Sequence, residues 1–171
     1  QDVPEYATLT LAVNVSARQF AHKNFVEQTL DAITRIGANS NQMKLELTES
    51  LLMNDIEGSV EKIGQLKNRG FRFSLDDFGT GYSSLSYLRR LPLDELKIDR
   101  SFFSNLLVDQ KDAAIVRAIV VLAQSLGLGL IAEGVENELQ RDVLASYGCT
   151  VYQGYLYGMP LDEEKLKFYL I

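Results

Sequence analysis

The chain has 171 residues, 46% of them hydrophobic, which is enough for one domain with a substantial core. Its 17 Lys and Arg residues against 23 Asp and Glu residues give a net charge of −6, which argues against a protein that grips polymeric nucleic acid through its phosphates. The single cysteine, Cys149, excludes an internal disulfide. Because no apolar run reaches the roughly 20 residues of a membrane helix, and the start QDVPEY does not resemble a signal peptide, we expect any membrane attachment to lie outside this chain.

Strand and helix patterns alternate along the whole chain. Period-two alternation predicts strands at 8–16, 43–50, 71–77, 94–99, 130–136 and 149–154. Helical spacing predicts helices at about 24–37, from 56 to 70, for one or two turns at 84–90, at 111–126, from 139 to 148, and from 162 onward with Leu166, Tyr169 and Leu170 facing inward. Such alternation is typical of parallel strands joined by helical crossovers, either in an open doubly wound sheet or in a closed TIM-type (β/α) barrel.

The stretch FRFSLDDFGTGYSSL, residues 71–85, joins the third strand to a glycine loop. The strand ends in two adjacent carboxylates, Asp76 and Asp77, and Gly79 and Gly81 follow within four residues. Two neighbouring acids repel each other unless a cation lies beside them, and a divalent metal ion is the usual solution. Taken alone, the same pattern also fits a solvated turn.

A polar residue interrupts or ends each of the six predicted strands. These residues are Asn14, Glu46, Asp76 with Asp77, Lys97, Glu133 and Gln153. In a strand covered by helices, such a group costs stability unless it is paired or ligates something. The carboxyl ends of barrel strands meet around one axis, whereas the outer strands of an open sheet are too far apart to share a site, so the pattern favours the barrel.

The residue types at these strand ends indicate a chemistry. Carboxylate and amide oxygens are ligands suited to Mg²⁺ or Mn²⁺. Several acids converging with one lysine therefore predict a two-metal site for phosphoryl chemistry. For Lys97 the alternative role is an internal counter-ion, and for Glu49 it is a cap on a neighbouring loop.

Motifs along almost the whole chain resemble the EAL domain family, the bacterial phosphodiesterases that cut cyclic di-GMP to linear pGpG. The motifs are NVS at 14–16, ELTES at 46–50, DDFGTGYSSL at 76–85, LKIDRSF at 96–102, AEGVE at 132–136 and QGY at 153–155. The resemblance implies a TIM-type barrel, two Mg²⁺ or Mn²⁺ ions, and fusion to sensor, receiver or GGDEF domains outside this chain. A cytoplasmic location follows, with attachment to the inner membrane through other segments as an alternative.

The resemblance also implies a role for each site residue. Asn14, Glu46 and Asp76 would bind one metal ion, and Asp76 would bridge to the second. Asp77 and Glu133 would hold or orient that second ion and its water. Lys97 would lie beside the attacking hydroxide as a base or electrostatic partner, with a pKa that metal charge can lower, and Gln153 would contact the same water. Glu49 is similar to a glutamate that props the glycine loop, and this loop with the following short helix is where such domains often form a homodimer.

One departure from the family pattern is plain: the sequence contains no Glu-Ala-Leu triplet. In the family that glutamate is a metal ligand on the second barrel strand, which precedes the NVS strand. We therefore expect residues 1–171 to be an EAL domain lacking its first two strands, with six of the eight strands present. Activity of this chain alone stays open, and two rivals remain: a non-catalytic cyclic di-GMP receptor and a purely structural interaction domain.

Overall fold

The computed structural model describes residues 9–53, 55–79, 85–103, 106, 109–162 and 164–166. Its six strands are β1 (Leu11–Asn14), β2 (Met43–Thr48), β3 (Arg72–Phe78), β4 (Glu95–Ile98), β5 (Gly129–Glu133) and β6 (Val151–Gln153). All adjacent strands pair in parallel and in sequence order, from β1 to β6. The sheet curls into a half-barrel, so the predicted TIM-type architecture with six strands is confirmed.

Seven α-helices lie in the described residues and connect or flank these strands. They are α1 (Ala17–Ala21), α2 (Phe25–Ile36), α3 (Glu49–Leu52), α4 (Ile56–Lys67), α5 (Leu85–Leu88), α6 (Gln110–Leu126) and α7 (Glu138–Ser146). Two of them end as predicted at glycines in the left-handed conformation, α2 at Gly37 and α6 at Gly127, each with φ of 68°. A Cβ at either glycine would meet no atom within 4 Å, so it is the backbone conformation that favours glycine there. None of the helices described is long and apolar enough to cross a bilayer.

The two faces of the sheet differ in polarity. On β3, Phe73 and Leu75 are almost fully buried and belong to the same core cluster as Ile63 and Leu66 of α4. The alternate residues of β3 point to the concave face, where Asp76 lies. The helices therefore cover the apolar face, and the polar side chains of the strands line the inside of the half-barrel.

The structure corrects several predictions made from the sequence. Strand β2 ends at Thr48, so Glu49 lies in the first turn of helix α3 and not on a strand. Strand β5 ends at Glu133, three residues earlier than predicted. At the C-terminus, residues 164–166 are helical, but Leu166 is 44% exposed, so its predicted inward packing is wrong. Tyr169, Leu170 and residues 80–84 of the glycine loop lie outside the described residues.

Candidate active site

A bulge in strand β3 brings two consecutive acids to one site. The register with β4 pairs Leu75 with Leu96 and then Phe78 with Ile98, so β3 contains one extra residue between these pairs. Ordinary strand alternation would send Asp76 and Asp77 to opposite faces, and a bulge re-aims one of them. Asp77 has a φ of 53°, the one positive value among the described residues other than glycine.

These two acids form a cluster with Glu133 at the end of β5. One carboxylate oxygen from each of Asp76, Asp77 and Glu133 lies within 4.8 Å of the others. Burial, reinforced by the nearby charge of Asp76, raises the pKa of Asp77. Burial also raises the pKa of Glu133 to about 7, and Asp76 adds to this shift while Lys97 opposes it. Both shifts therefore come first from burial, and repulsion from Asp76 adds to them.

Lys97 lies at the centre of the carboxylates with only 3% of its side chain exposed. Its Nζ lies 2.8 Å from Glu46 Oε2, 3.4 Å from Asp76 Oδ1 and 2.5 Å from Glu133 Oε1. Burial disfavours the ammonium, but the hydrogen bonds to Glu133 and Glu46 outweigh it, so the pKa of Lys97 is raised. Without metal ions, Lys97 is a cationic partner of the carboxylates, and a pKa lowered by metal charge stays a prediction.

The donor set fits divalent metal ions. Glu46, Asp76, Asp77 and Glu133 carry four negative charges when ionised, and Lys97 supplies one positive charge among them. Carboxylates gathered in such excess, most of them partly buried, are stable together when cations join them. All four offer the hard oxygen ligands that Mg²⁺ and Mn²⁺ prefer. The cluster can therefore hold metal ions at Asp76, Asp77 and Glu133, with Glu46 adjacent through Lys97.

Asn14 and Gln153 occupy the two open edges of the half-barrel. Asn14 is aligned with Glu46 across β1 and β2, and Gln153 is aligned with Glu133 across β5 and β6. Both residues are exposed. Asn14 lines a cavity of about 320 Å³ beside β1, and Gln153 lines one of about 520 Å³ beside β6. The register thus places both next to a carboxylate of the site, and their metal or water contacts remain predictions.

Glu49 accepts a hydrogen bond from the start of the glycine loop. Its Oε2 accepts a hydrogen bond of 3.3 Å from the backbone N–H of Gly79, two residues after Asp77. Glu49 is 8% exposed, and its other carboxylate oxygen has no hydrogen-bond partner among the residues described. This contact agrees with the predicted supporting role, because it links α3 to the segment that follows the two acids.

The structure adds one residue that the sequence interpretation missed. Asp99 directly follows β4, and its charge is one of the smaller causes that raise the pKa of Asp77. Its carboxylate also accepts a hydrogen bond from the backbone N–H of Ser101 at 2.9 Å, which caps the next turn. The signal was available, because Asp99 is an acid at the carboxyl end of the strand predicted at 94–99.

Comparisons with known proteins agree with this site and fold. The family model described as EAL domain matches residues 1–160. The chain is 48% identical over 161 residues to the bifunctional diguanylate cyclase/cyclic di-GMP phosphodiesterase MucR of Pseudomonas aeruginosa, a match that covers 94% of this chain and 24% of that protein. The chain thus spans about a quarter of the length of the curated relatives it matches.

Two solved structures extend the comparison. One is described as PaMucR phosphodiesterase in a c-di-GMP complex, with a TM-score of 0.87 and 48% identity over 92% of this chain and 64% of that one. The other is Klebsiella pneumoniae BlrP1 in a manganese/cy-diGMP complex, with a TM-score of 0.78 and 30% identity over 86% of this chain and 38% of that one. Since the family match covers nearly the whole chain, and the strand-end acids converge as its motifs imply, this protein belongs to the EAL domain family.

Proposed function

We propose that this protein is a metal-dependent phosphodiesterase that hydrolyses cyclic di-GMP to linear pGpG. The observation that carries the proposal is the convergence of Asp76, Asp77 and Glu133 within 4.8 Å, beside the buried Lys97. Both solved relatives described above are named as complexes with this dinucleotide, and one of them contains manganese. Burying these charges costs free energy, and a purely structural domain would have no activity to compensate for that cost.

The proposed reaction adds water across one phosphodiester bond. A water oxygen bonds to phosphorus, the bond from phosphorus to the 3′ oxygen breaks, and a proton goes to that oxygen, which leaves the phosphate on the 5′ side of the product. Two bound Mg²⁺ or Mn²⁺ ions would lower the pKa of the attacking water and neutralise the phosphate charge.

The residues of this chain hold and orient the reactants. Asp76, Asp77 and Glu133 would bind the ions, with Glu46 and Asn14 completing the set on the side of β1 and β2. Lys97 would lie beside the attacking hydroxide as a base or as an electrostatic partner of the negative charge that develops there. Gln153 would hydrogen-bond the water from the β6 side.

The surroundings of this domain are also part of the proposal. The curated relative is bifunctional and about four times as long as the matched segment, which supports fusion to a GGDEF or sensor domain. A homodimer is proposed at the glycine loop and α5, where Leu85 is 59% exposed. A cytoplasmic location, with any inner-membrane attachment through other segments, agrees with a nucleotide substrate made and used inside the cell.

The test is to incubate the intact protein with cyclic di-GMP and Mg²⁺ or Mn²⁺ and to separate the products by chromatography. We expect pGpG, and we expect it to disappear when a chelator removes the metal. A matched variant, Asp142→Asn, changes an exposed carboxylate on α7 and should leave product formation intact. Nucleotide that binds without being cleaved would contradict the enzyme and assign the receptor function, and absence of both binding and cleavage would contradict either signalling function.

A further inference from the structure

Two ion pairs with opposite charge order connect strands β2 and β4. Strand β2 carries Lys44 and Glu46 two residues apart, and β4 carries Glu95 and Lys97 with the same spacing. Alternate residues of a strand share a face, so all four side chains lie on the concave face. Lys44 Nζ donates a hydrogen bond to Glu95 Oε2, and Lys97 Nζ donates to Glu46 Oε2 at 2.8 Å. Each lysine therefore meets the glutamate of the other strand.

Both ion pairs cross strand β3, which lies between β2 and β4. Neighbouring strands are about 4.8 Å apart, so each pair bridges roughly 10 Å between backbones. The residue beneath the crossing is Ser74, which is aligned with both Glu46 and Glu95. Ser74 is fully buried, and its hydroxyl has no hydrogen-bond partner among the residues described. Its small volume, more than its polarity, thus suits the site, because a larger side chain would block the path of both lysines.

The charge order determines which way Lys97 points. Glu95 lies two residues from Lys97 on the same face, a separation of about 7 Å along the strand, which a long lysine side chain can reach. Glu95 is already ion-paired with Lys44. The two side chains are only 12% and 20% exposed, so solvent screens their interaction little. Lys97 therefore pairs with the carboxylates at the carboxyl ends of the strands and not with Glu95.

We propose that Lys44 and Glu95 form a positioning pair for the active site. By neutralising Glu95, Lys44 keeps the ammonium of Lys97 turned towards Glu46, Asp76 and Glu133. The pair acts through Lys97 and does not touch the reacting atoms. Its consequence for turnover rests on the proposed phosphodiesterase function, and its consequence for the carboxylate cluster does not.

The test compares Lys44→Glu, Glu95→Lys and the double variant in the intact protein with cyclic di-GMP and Mn²⁺. Lys44→Glu leaves Glu95 without its partner, so Glu95 competes for Lys97. Glu95→Lys leaves Lys44 without its partner, so Lys44 competes with Lys97 for Glu46, two residues away on the same face of β2. We expect kcat to fall about 10- to 100-fold, as for other residues that orient metal ligands, with a smaller change in KM. The double variant re-forms the pair in reverse order and should recover kcat to within about threefold of the unmodified protein.

A control reverses another partly buried, ion-paired lysine outside the site. Lys67→Glu breaks the pair of Lys67 with Asp94, which has a 2.6 Å contact and 29% exposure on both sides, and should lower the Tm without lowering kcat. If Lys44→Glu does not fold, Lys44→Gln replaces it and should lower kcat about tenfold. The proposal is overturned if the folded single variants keep kcat within about twofold of the unmodified protein. It is also overturned if the double variant has a kcat no higher than that of the less active single variant.

Failure of the proposed function can be distinguished from failure of this inference. If the unmodified protein binds Mn²⁺ but does not cleave cyclic di-GMP, the Mn²⁺ affinity of the same variants is measured from the spin resonance signal of the free ion. We expect about tenfold weaker binding in each single variant and recovery in the double variant. Equal affinity in all four proteins would overturn the positioning role.

Discussion

The two faces of strand β3 show how one strand serves stability and chemistry separately. Phe73 and Leu75 are 0% and 2% exposed and pack in the core under the helices, where their contribution is apolar burial. Asp76, from the alternate set, faces the concave side and lies 3.4 Å from the ammonium of Lys97. Burial on the outer face stabilises the fold, whereas the same burial on the inner face raises the pKa of acids and works against it. Substitutions on the two faces should therefore have opposite signatures.

The largest expected effect on stability comes from the outer face. Phe73→Ala removes a fully buried ring and leaves a cavity, which should lower the free energy of unfolding by about 3–5 kcal/mol. Urea denaturation monitored by circular dichroism measures this loss. The activity of the fraction that remains folded should be unchanged, because the ring lies on the face away from the carboxylates.

Phe73→Leu is the matched control for that experiment. It keeps most of the apolar volume and should cost about 1–1.5 kcal/mol. A loss of less than about 1 kcal/mol in Phe73→Ala would contradict the assignment of Phe73 to a closely packed core.

The outer face was the part of the molecule that the sequence predicted best. Alternating apolar residues, and glycines such as Gly37 and Gly127 at helix ends, depend on local backbone preferences that the sequence carries directly. The same local signals placed Glu46, Asp76, Lys97 and Glu133 at strand positions that the structure brings together.

What the sequence did not reveal depends on contacts between strands that are not neighbours. The pairing of Lys44 with Glu95 passes over β3, so it requires knowing that β2 and β4 flank that strand. The bulge at Asp77 is a register shift between β3 and β4 and has no local signature beyond the repeated acid. The raised pKa of Lys97 likewise depends on several acids from separate strands acting together.

Substitutions on the inner face should have the opposite effect: activity should be lost while the fold is kept. Asp76→Asn preserves shape but removes one charge from the acidic cluster, so we expect turnover of cyclic di-GMP to fall at least about 100-fold, close to 3 kcal/mol in activation free energy. The free energy of unfolding of the metal-free protein should change little, because the substitution removes both a repelling negative charge and one hydrogen-bond acceptor, and these two effects oppose each other. Initial rates with saturating Mn²⁺ and a urea titration with chelator measure the two quantities, and near-normal turnover would contradict the metal role of Asp76.

The smallest effect tests the electrostatic cost of the inner face directly. Because the pKa of Glu133 is about 7 in the folded protein and 4.5 in the reference state, the folded state holds this proton more tightly than the unfolded chain does. Unfolded molecules therefore bind fewer protons between these two values, and the stability of the metal-free protein should decrease as pH rises through that window. Glu133→Gln cannot titrate, so its decrease should be smaller by about 1–3 kcal/mol between the two ends of the window.

Urea titrations at pH 5 and pH 7.5 with chelator measure this difference, and the matched variant Glu136→Gln removes an exposed carboxylate three residues away. Glu136→Gln should follow the pH dependence of the unmodified protein, because its charge lies outside the cluster of Asp76, Asp77 and Glu133. Parallel curves for Glu133→Gln and the unmodified protein would mean that the inner face carries no electrostatic penalty. In that case the contrast between the two faces of the sheet would be one of polarity alone, and the excess of negative charge would no longer argue for metal ions.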